Sequence, residues 1–375
     1  GNGYGSTKED KHFHDTPRVS ALRVDASDPW QQLAAVFQQH SVTLLVVACS
    51  SNMTNLAQAA IHAKIDMMDL QYSRQKTQDL KELESEIKQA GCCFITECGF
   101  HPGLPAALIR YMHMVHPSEQ ITSAIVSSVI RLDWKHLETD LSPETMRDFA
   151  VEFADFSTLS YQNGTWKSEG FMFPKNVKFG PPFGNQPVIS MYLDELQELP
   201  VLYPHLKDTG FYVGSLNCVV DWILSPIVLL ALACFPRSAR VQRAMGRLLH
   251  WGLRAFSKPP YGTVLRVETK GGRHHHVVTI SHQDGYALTA IPVAATVQQY
   301  LDDDDGGTNN IRKPGLWLQG LVVDPVRLLH DMENVSCDQT DPVSVSGHGK
   351  HGAVSYTHLR AHETKANLVC RLLLE

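Results

Sequence analysis

The stretch Gly99-Phe100-His101-Pro102-Gly103-Leu104-Pro105-Ala106-Ala107 decides the fold. It follows the apolar run 92–95, whose length and composition are typical of a buried strand. It precedes the apolar segment 108–112, which continues as a helix. Prolines are tolerated in a first helical turn because its N–H groups have no intrahelical partner. The pattern predicts a strand, a glycine turn and a helix N-terminus, which suits an anionic ligand. The alternative is a domain-joining turn that binds no ligand.

Strand and helix patterns alternate through the first hundred residues. Strand-like apolar runs lie at 19–25, 42–48, 67–70 and 94–95, and helix-like segments lie between them at 29–39, 56–63 and 80–90. The continuous apolar run at 42–48 is typical of a parallel strand covered on both faces. This alternation predicts an α/β fold with a doubly wound parallel sheet.

Such sheets bind ligands beyond the carboxyl ends of their strands. Three loops of this chain qualify. The first contains Asp25 and Asp28, the second contains Cys49, Ser50 and Ser51, and the third starts at Asp69. An alternative for Asp25 and Asp28 is that they cap the helix that follows.

The pattern changes after residue 122 and predicts an α+β domain. A long β-type run at 124–132 is followed by a helix at 145–157, a proline-rich loop at 171–184, and a hairpin formed by 263–269 and 277–281. Tyr192 and Glu195 follow the loop and are candidates for orienting a polar substrate. The alternative for these two residues is a strand edge followed by a solvated turn.

Three segments together resemble the saccharopine dehydrogenase-like NAD(P)-dependent oxidoreductases: 99–107, 181–184 with 191–195, and 314–327. The resemblance spans residues 19–335. It implies a partial NAD(P)-binding Rossmann-like domain at 1–101 and a substrate and dimerisation domain at 102–345. It also implies that 314–327 supplies a closing strand and helix.

The resemblance implies hydride transfer between NAD or NADP and a C–N bond of an amino-acid-derived secondary amine or imine. His101 and Asp69 are then the expected catalytic residues, because a proton must move as well. The cofactor is expected near Asp25, Asp28, Cys49, Ser50, Ser51 and Gly99, and the small-molecule substrate near Tyr192 and Glu195. The alternatives are an enoyl- or lipid-directed reductase and a non-catalytic, membrane-associated scaffold.

The glycine-rich phosphate loop and the ribose-binding residue of this family are not visible. In the family they precede the point where this chain begins, so the first β-α-β unit is expected to be missing. Residues 1–5 read Gly-Asn-Gly-Tyr-Gly but follow no strand, which favours a loop. The truncated chain is therefore expected to be inactive, and the choice between NAD and NADP stays open.

The C-terminal residues look foreign to the fold. Residues 354–364 resemble a translated sequencing-library adapter, so 354–375 is interpreted as an artefact and excluded from fold reasoning. The preceding polar, glycine-rich residues suggest that disorder begins at 346.

Composition restricts the partners and the metal chemistry. A net charge of −6 gives no overall bias toward nucleic acid, so no nucleic-acid partner is expected. The cysteines lack paired zinc-type spacing, which favours buried thiols in a reducing, cytoplasmic compartment. At most two of His274, His275 and His276 share a strand face, and no further zinc ligand is visible at suitable spacing. They are interpreted as exposed hairpin histidines, and no metal is expected.

An apolar segment and a basic one adjoin at 219–257. The apolar run at 219–235 contains Asp221 and is shorter than the ~20 residues a membrane-spanning helix needs. The basic segment that follows interleaves arginines with large apolar residues. The first interpretation is a buried helix or a homodimer interface, and the second is contact with a membrane surface.

Overall fold

The computed structural model describes residues 20–49, 52–137, 141–170, 174–214, 216–302, 310–336, 343–349 and 352–354. Residues Ser50 and Ser51, the first nineteen residues and the proposed adapter residues 355–375 lie outside the described part of the chain.

Strands in the described residues are numbered in chain order. They are β1 (Leu44–Val47), β2 (Asp66–Asp69), β3 (Cys93–Thr96), β4 (Ser123–Arg131), β5 (Leu159–Gln162), β6 (Thr165–Ser168), β7 (Lys175–Lys178), β8 (Asn185–Met191), β9 (Asp208–Gly214), β10 (Gly262–Gly271), β11 (His274–His282), β12 (Gly315–Leu318), β13 (Ser344–Gly349) and β14 (Gly352–Val354).

The helices follow the same convention. They are α1 (Trp30–Gln39), α2 (Met53–Ala63), α3 (Arg74–Glu82), α4 (Glu84–Ala90), α5 (Leu104–Val115), α6 (Pro143–Ala154), α7 (Leu199–Leu202), α8 (Ser225–Cys234), α9 (Ala239–Phe256), α10 (Gly285–Asp302), α11 (Gln319–Val322) and α12 (Pro325–Ser336). A π-helical turn at Val220–Leu224 leads into α8.

The first sheet is parallel and has the order β1-β2-β3-β12. Apolar side chains of α1 to α4, including Leu33, Leu56 and Leu80, pack with the residues of one face. Val293 and Val297 of α10 pack with Ile95 on the other. Burial on both faces explains the continuous apolar runs in the sequence. The predicted α/β class with a Rossmann-like parallel sheet is therefore confirmed.

One predicted strand of this sheet is wrong. The described residues 20–25 form no strand, and Leu22 and Val24 are 57% and 41% exposed. In the described part of the chain β1 is paired only with β2. An apolar run becomes a strand only where a neighbour completes its backbone hydrogen bonds, and 20–25 has no such neighbour there.

The second sheet is mixed, with the order β14-β13-β11-β10-β4-β9-β5-β6 and with β8 joining β7 to β9. The β4–β9 pair is parallel, and the other ladders are antiparallel. Helices α5, α10 and α12 share a core with it, to which Leu108, Phe211 and Leu265 belong. This arrangement brings the start of α5 and the start of α10 close to both sheets.

Three local predictions change in the structure. The proline-rich stretch 171–184 contains the short strand β7. The hairpin is longer than predicted, so His274, His275 and His276 lie within β11. Residue 346, where the disordered tail was predicted to begin, lies within β13. β13 forms there because the edge of β11 offers backbone N–H and C=O groups with which it pairs.

The chain returns to its first sheet near its end. After α10 it enters β12, which pairs with β3 from Gly315↔Cys93 to Leu318↔Thr96. The segment 314–327 does supply a closing strand, followed by α11 and α12. The first sheet is therefore built from two separate parts of the sequence, whereas the predicted division at residue 101 places β12 in the second domain.

Candidate functional site

The crossover from β3 to α5 is a tightly packed turn. Gly99 has φ +140° and Gly103 has φ +117°, which side chains rarely adopt. The Gly99 N–H donates to Oε1 of Gln319 at 3.0 Å, and the Gly103 N–H donates to Oε1 of Glu195 at 3.0 Å. A Cβ on Gly103 would lie 2.8 Å from Nε2 of Gln319. Residues from two distant parts of the chain, Glu195 and Gln319, thus fix this turn.

A cavity of about 170 Å³ lies between the two sheets, next to the carboxyl ends of β2 and β3. Leu70 and Cys98 line it from the first sheet, Phe100 and His101 from the crossover, Ile130 and Leu132 from β4, and Tyr286 and Thr289 from α10. Pockets for whole drug-sized ligands measure roughly 300–1,000 Å³, so this cavity accommodates one ring-sized group.

Among the described residues that line this cavity, His101 is the one histidine. Its ring packs against Phe100 and Phe211, with centroid distances of 4.6 and 5.2 Å. Nε2 is buried and has no hydrogen-bond partner within the described residues. Burial lowers the pKa of His101 to about 4, so the imidazole is neutral at pH 7. The sequence placed His101 at the site, but it expected a group titrating near neutrality.

Asp69 lies at the end of β2 in a buried ion pair. Nζ of Lys76 donates to Oδ1 of Asp69 at 2.7 Å, and the two side chains are 3% and 0% exposed. The same ammonium donates to the Gln71 carbonyl at 2.5 Å and to Oγ1 of Thr96 at 2.7 Å. Asp69 is absent from the cavity lining, in which its neighbour Leu70 takes part. The catalytic role expected of Asp69 stays a prediction, and the contacts observed tie β2, α3 and β3 together.

Glu97 is a titratable residue that the sequence reasoning missed. It follows β3 directly, has φ +57°, and is 2% exposed. Its Oε1 accepts a hydrogen bond from Oγ1 of Thr77 at 3.1 Å. Burial raises the pKa of Glu97 to about 7, and attraction to Lys76 opposes the rise. Its place at the carboxyl end of a predicted strand was the signal that could have found it.

Glu195 and Tyr192, the predicted substrate residues, are absent from the cavity lining, and Glu195 lies beside the crossover. Glu195 is fully buried, and its carboxyl group holds the N-terminus of α5 through the Gly103 N–H. Burial raises the pKa of Glu195 to about 8, opposed by hydrogen bonds from Gly103 and Ala106. The Tyr192 hydroxyl donates to Oε1 of Gln197 at 3.3 Å, and its carbonyl accepts from the Tyr72 hydroxyl at 3.3 Å. Their observed contacts are thus internal to the protein.

The predicted cofactor loops meet at the N-terminus of α2. Oδ1 of Asp25 accepts from the Ser27 N–H at 2.9 Å, which closes a turn. Nδ2 of Asn55 in α2 donates to the Asp28 carbonyl at 2.6 Å. Cys49 is exposed just beyond β1, and Gly99 lies at the crossover. The structure therefore brings Asp25, Asp28 and Cys49 to one edge of the sheet and leaves Gly99 at the interdomain turn.

No family model matches the chain, and no curated protein matches it by sequence. Among solved structures the chain is similar to apo saccharopine dehydrogenase (L-Glu forming) from Saccharomyces cerevisiae. The TM-score is 0.56 at 14% identity, covering 88% of this chain and 89% of that one. It also matches biliverdin reductase with biliverdin and NADP+ from Synechocystis sp. PCC 6803, with a TM-score of 0.36, 11% identity, and coverage of 88% and 86%.

The likeness to the yeast enzyme shows a shared fold. The protein shares the fold of that enzyme, with a Rossmann-like parallel sheet joined to a mixed sheet. Of these two structures, the saccharopine dehydrogenase has the higher TM-score.

Proposed function

We propose that the protein is an NAD(P)-dependent oxidoreductase that transfers hydride at the C–N bond of an amino-acid-derived secondary amine or imine. The observation that carries the proposal is the ring-sized cavity between the sheets, into which the crossover brings His101. Ligands of doubly wound sheets bind at this edge. The fold shared with a saccharopine dehydrogenase supports the substrate class.

The cavity has room for one ring-sized group, either the nicotinamide end of a dinucleotide or the reacting end of the substrate. The buried, unpartnered Nε2 of His101 offers one hydrogen bond to a polar ligand, and Leu70, Cys98 and Phe100 exclude water around it. The N-terminus of α2 suits a phosphate group. When bound, the cofactor supplies the hydride. Neither a glycine-rich phosphate loop after a strand nor the ribose-binding residue that distinguishes the two cofactors is identified among the described residues, so the proposal covers both NAD and NADP.

His101 is the residue proposed to handle the proton at the substrate nitrogen. In the free protein burial keeps its pKa at about 4. Amino-acid substrates carry carboxylates, and a negative charge near the ring favours the imidazolium form. Substrate binding would therefore raise the pKa of His101 toward neutrality, where proton transfer is most effective.

A lipid-directed reductase is the second candidate, favoured by one surface. Trp222, Ile223, Ile227 and Leu230 of the π-turn and α8 are 60%, 56%, 48% and 67% exposed. Basic residues of α9, among them Arg243 and Arg247, follow in the same region of the chain. No helix among the described residues is long and apolar enough to cross a membrane. Exposed apolar groups beside arginines are typical of helices that lie on anionic lipid.

One experiment with two arms separates these proposals. In the first arm, purified protein from the intact transcript is assayed for oxidation of NADPH and of NADH in the presence of an oxo acid and an amino acid. In the second arm, the same protein is tested for flotation with anionic vesicles. We expect turnover without lipid, and a loss of about 100-fold in kcat for His101→Ala because an acid–base group contributes 10²–10⁴-fold. The exposed His136→Ala is the control and should leave kcat unchanged. Unchanged kcat in His101→Ala would reject its role, and activity only on vesicles would favour the second candidate.

A further inference from the structure

Four side chains cluster at the opposite end of α5 from the cavity. His116 caps the C-terminus of α5, and the Glu119 N–H donates to the His116 carbonyl at 3.1 Å, which holds both residues in one turn. His274 and His276 are alternate residues of β11 and therefore project from the same face of the sheet. We call these four residues the histidine–glutamate cluster. Helix α5 is 12 residues long, or about 18 Å, so the cluster is remote from His101.

The carboxylate of Glu119 lies at the centre of this cluster. Its Oε2 is 2.8 Å from Nε2 of His276, and its Oε1 is 3.2 Å from Nδ1 of His274. Nδ1 of His116 is 3.8 Å from Oε1. One ligand atom from each of His116, Glu119 and His276 lies within 4.8 Å of the other two.

These distances are close to those of a zinc site. Zinc bonds to histidine nitrogen and carboxylate oxygen measure about 2.0–2.2 Å, which places neighbouring ligand atoms of a tetrahedron roughly 3.3 Å apart. The ligand atoms of His116, Glu119 and His276 lie within 4.8 Å of one another and need to move by roughly 1 Å to reach that geometry, whereas His274 lies outside this group and needs a larger side-chain movement. The side chains are between 14% and 49% exposed, so an ion can enter from solvent.

The rings of the cluster lie close together. The His116 and His276 rings stack at 3.9 Å, and His274 and His276 are parallel at 6.2 Å. A metal ion lies in the plane of each imidazole that binds it, so the stacked His116 and His276 rings must tilt apart to share one ion. Neutral imidazoles are the form that binds a transition metal.

We propose that His116, Glu119 and His276, with His274 as a fourth ligand, bind one divalent transition-metal ion of the zinc class. Imidazole ligands select zinc, copper or nickel over magnesium and calcium, which prefer all-oxygen sites. Four protein ligands leave no open position, so the site is structural. The ion would tie the end of α5 to the β10–β11 hairpin.

The test is a zinc titration of metal-stripped, tag-free protein against a chromophoric chelator, with Co²⁺ absorption as the measure of tetrahedral geometry. We expect one equivalent bound with submicromolar affinity and a rise in Tm. His276→Ala should weaken zinc binding at least 100-fold or so, because even residues that only support a ligand contribute 10–100-fold. Glu119→Gln is the second variant, and it keeps the size of the side chain.

The matched control is His275→Ala. His275 is the neighbour of two cluster residues, but it projects from the other face of β11, where its Nε2 meets Oε1 of Glu268 at 3.0 Å. Its replacement should change zinc affinity by less than about twofold. The proposal is overturned if zinc binds more weakly than tens of micromolar, or if His275→Ala loses as much affinity as His276→Ala. Neither result depends on the enzymatic activity.

Discussion

Replacing Lys76 by methionine should lower the free energy of unfolding by about 3–5 kcal/mol, because it leaves a buried charge on Asp69 without its partner. The ammonium makes three close contacts, with Asp69, the Gln71 carbonyl and Thr96. All of them lie in the interior between β2, α3 and β3. The measurement is denaturant unfolding followed by circular dichroism.

The control for this variant lies on the same helix. Lys81 is 55% exposed and pairs with Asp194 at 3.4 Å, so Lys81→Met should cost less than about 1 kcal/mol. Combining Lys76→Met with Asp69→Asn should restore part of the loss, because the unpaired charge is then removed. Equal costs for Lys76→Met and Lys81→Met would show that the buried pair does not stabilise the fold as described.

Replacing Gly320 by alanine should destabilise the protein by about 3 kcal/mol, the upper range for overpacking a filled interior. A Cβ at this position would lie 2.1 Å from Oε2 of Glu195 and 2.6 Å from the Gly103 carbonyl. The second contact is with backbone, which cannot rotate away. The measurement is the shift in Tm and in the denaturation midpoint.

A glycine in open space separates crowding from backbone strain. Gly164 has φ +81°, and a Cβ added there would meet nothing within 4 Å, so Gly164→Ala should cost only about 1 kcal/mol of strain. If Gly320→Ala is as stable as the wild-type protein, the close packing of α11 against the crossover is wrong.

The elements that the sequence predicted well are those with a strong local pattern. The runs that became β2 and β3 are buried on both faces, the run that became β1 is partly buried, and Pro105 near the start of α5 marks the crossover. His101 could be assigned to the site because it lies in that crossover. The run at 19–25 has the same local pattern but no neighbouring strand in the described residues, and pairing is not encoded locally.

The contacts that define the site come from residues far apart in the chain. Glu195 reaches Gly103 across 92 positions, and Gln319 reaches Gly99 across 220. Glu119 and His276 are separated by 157 positions, so spacing arguments around the three consecutive histidines could not find them together. Burial likewise sets the pKa of Glu97 and of His101, and burial is a property of the assembled fold.

The most direct test of the account is a titration of the protein from the intact transcript with NADPH and with NADH, followed by energy transfer from tryptophan to the reduced nicotinamide. We predict saturable binding of one dinucleotide per chain, with a dissociation constant on the order of micromolar. Thr289→Phe, which fills the cavity, should weaken it while circular dichroism stays unchanged. The absence of a saturable signal with both dinucleotides would contradict the proposal that the protein is an NAD(P)-dependent oxidoreductase.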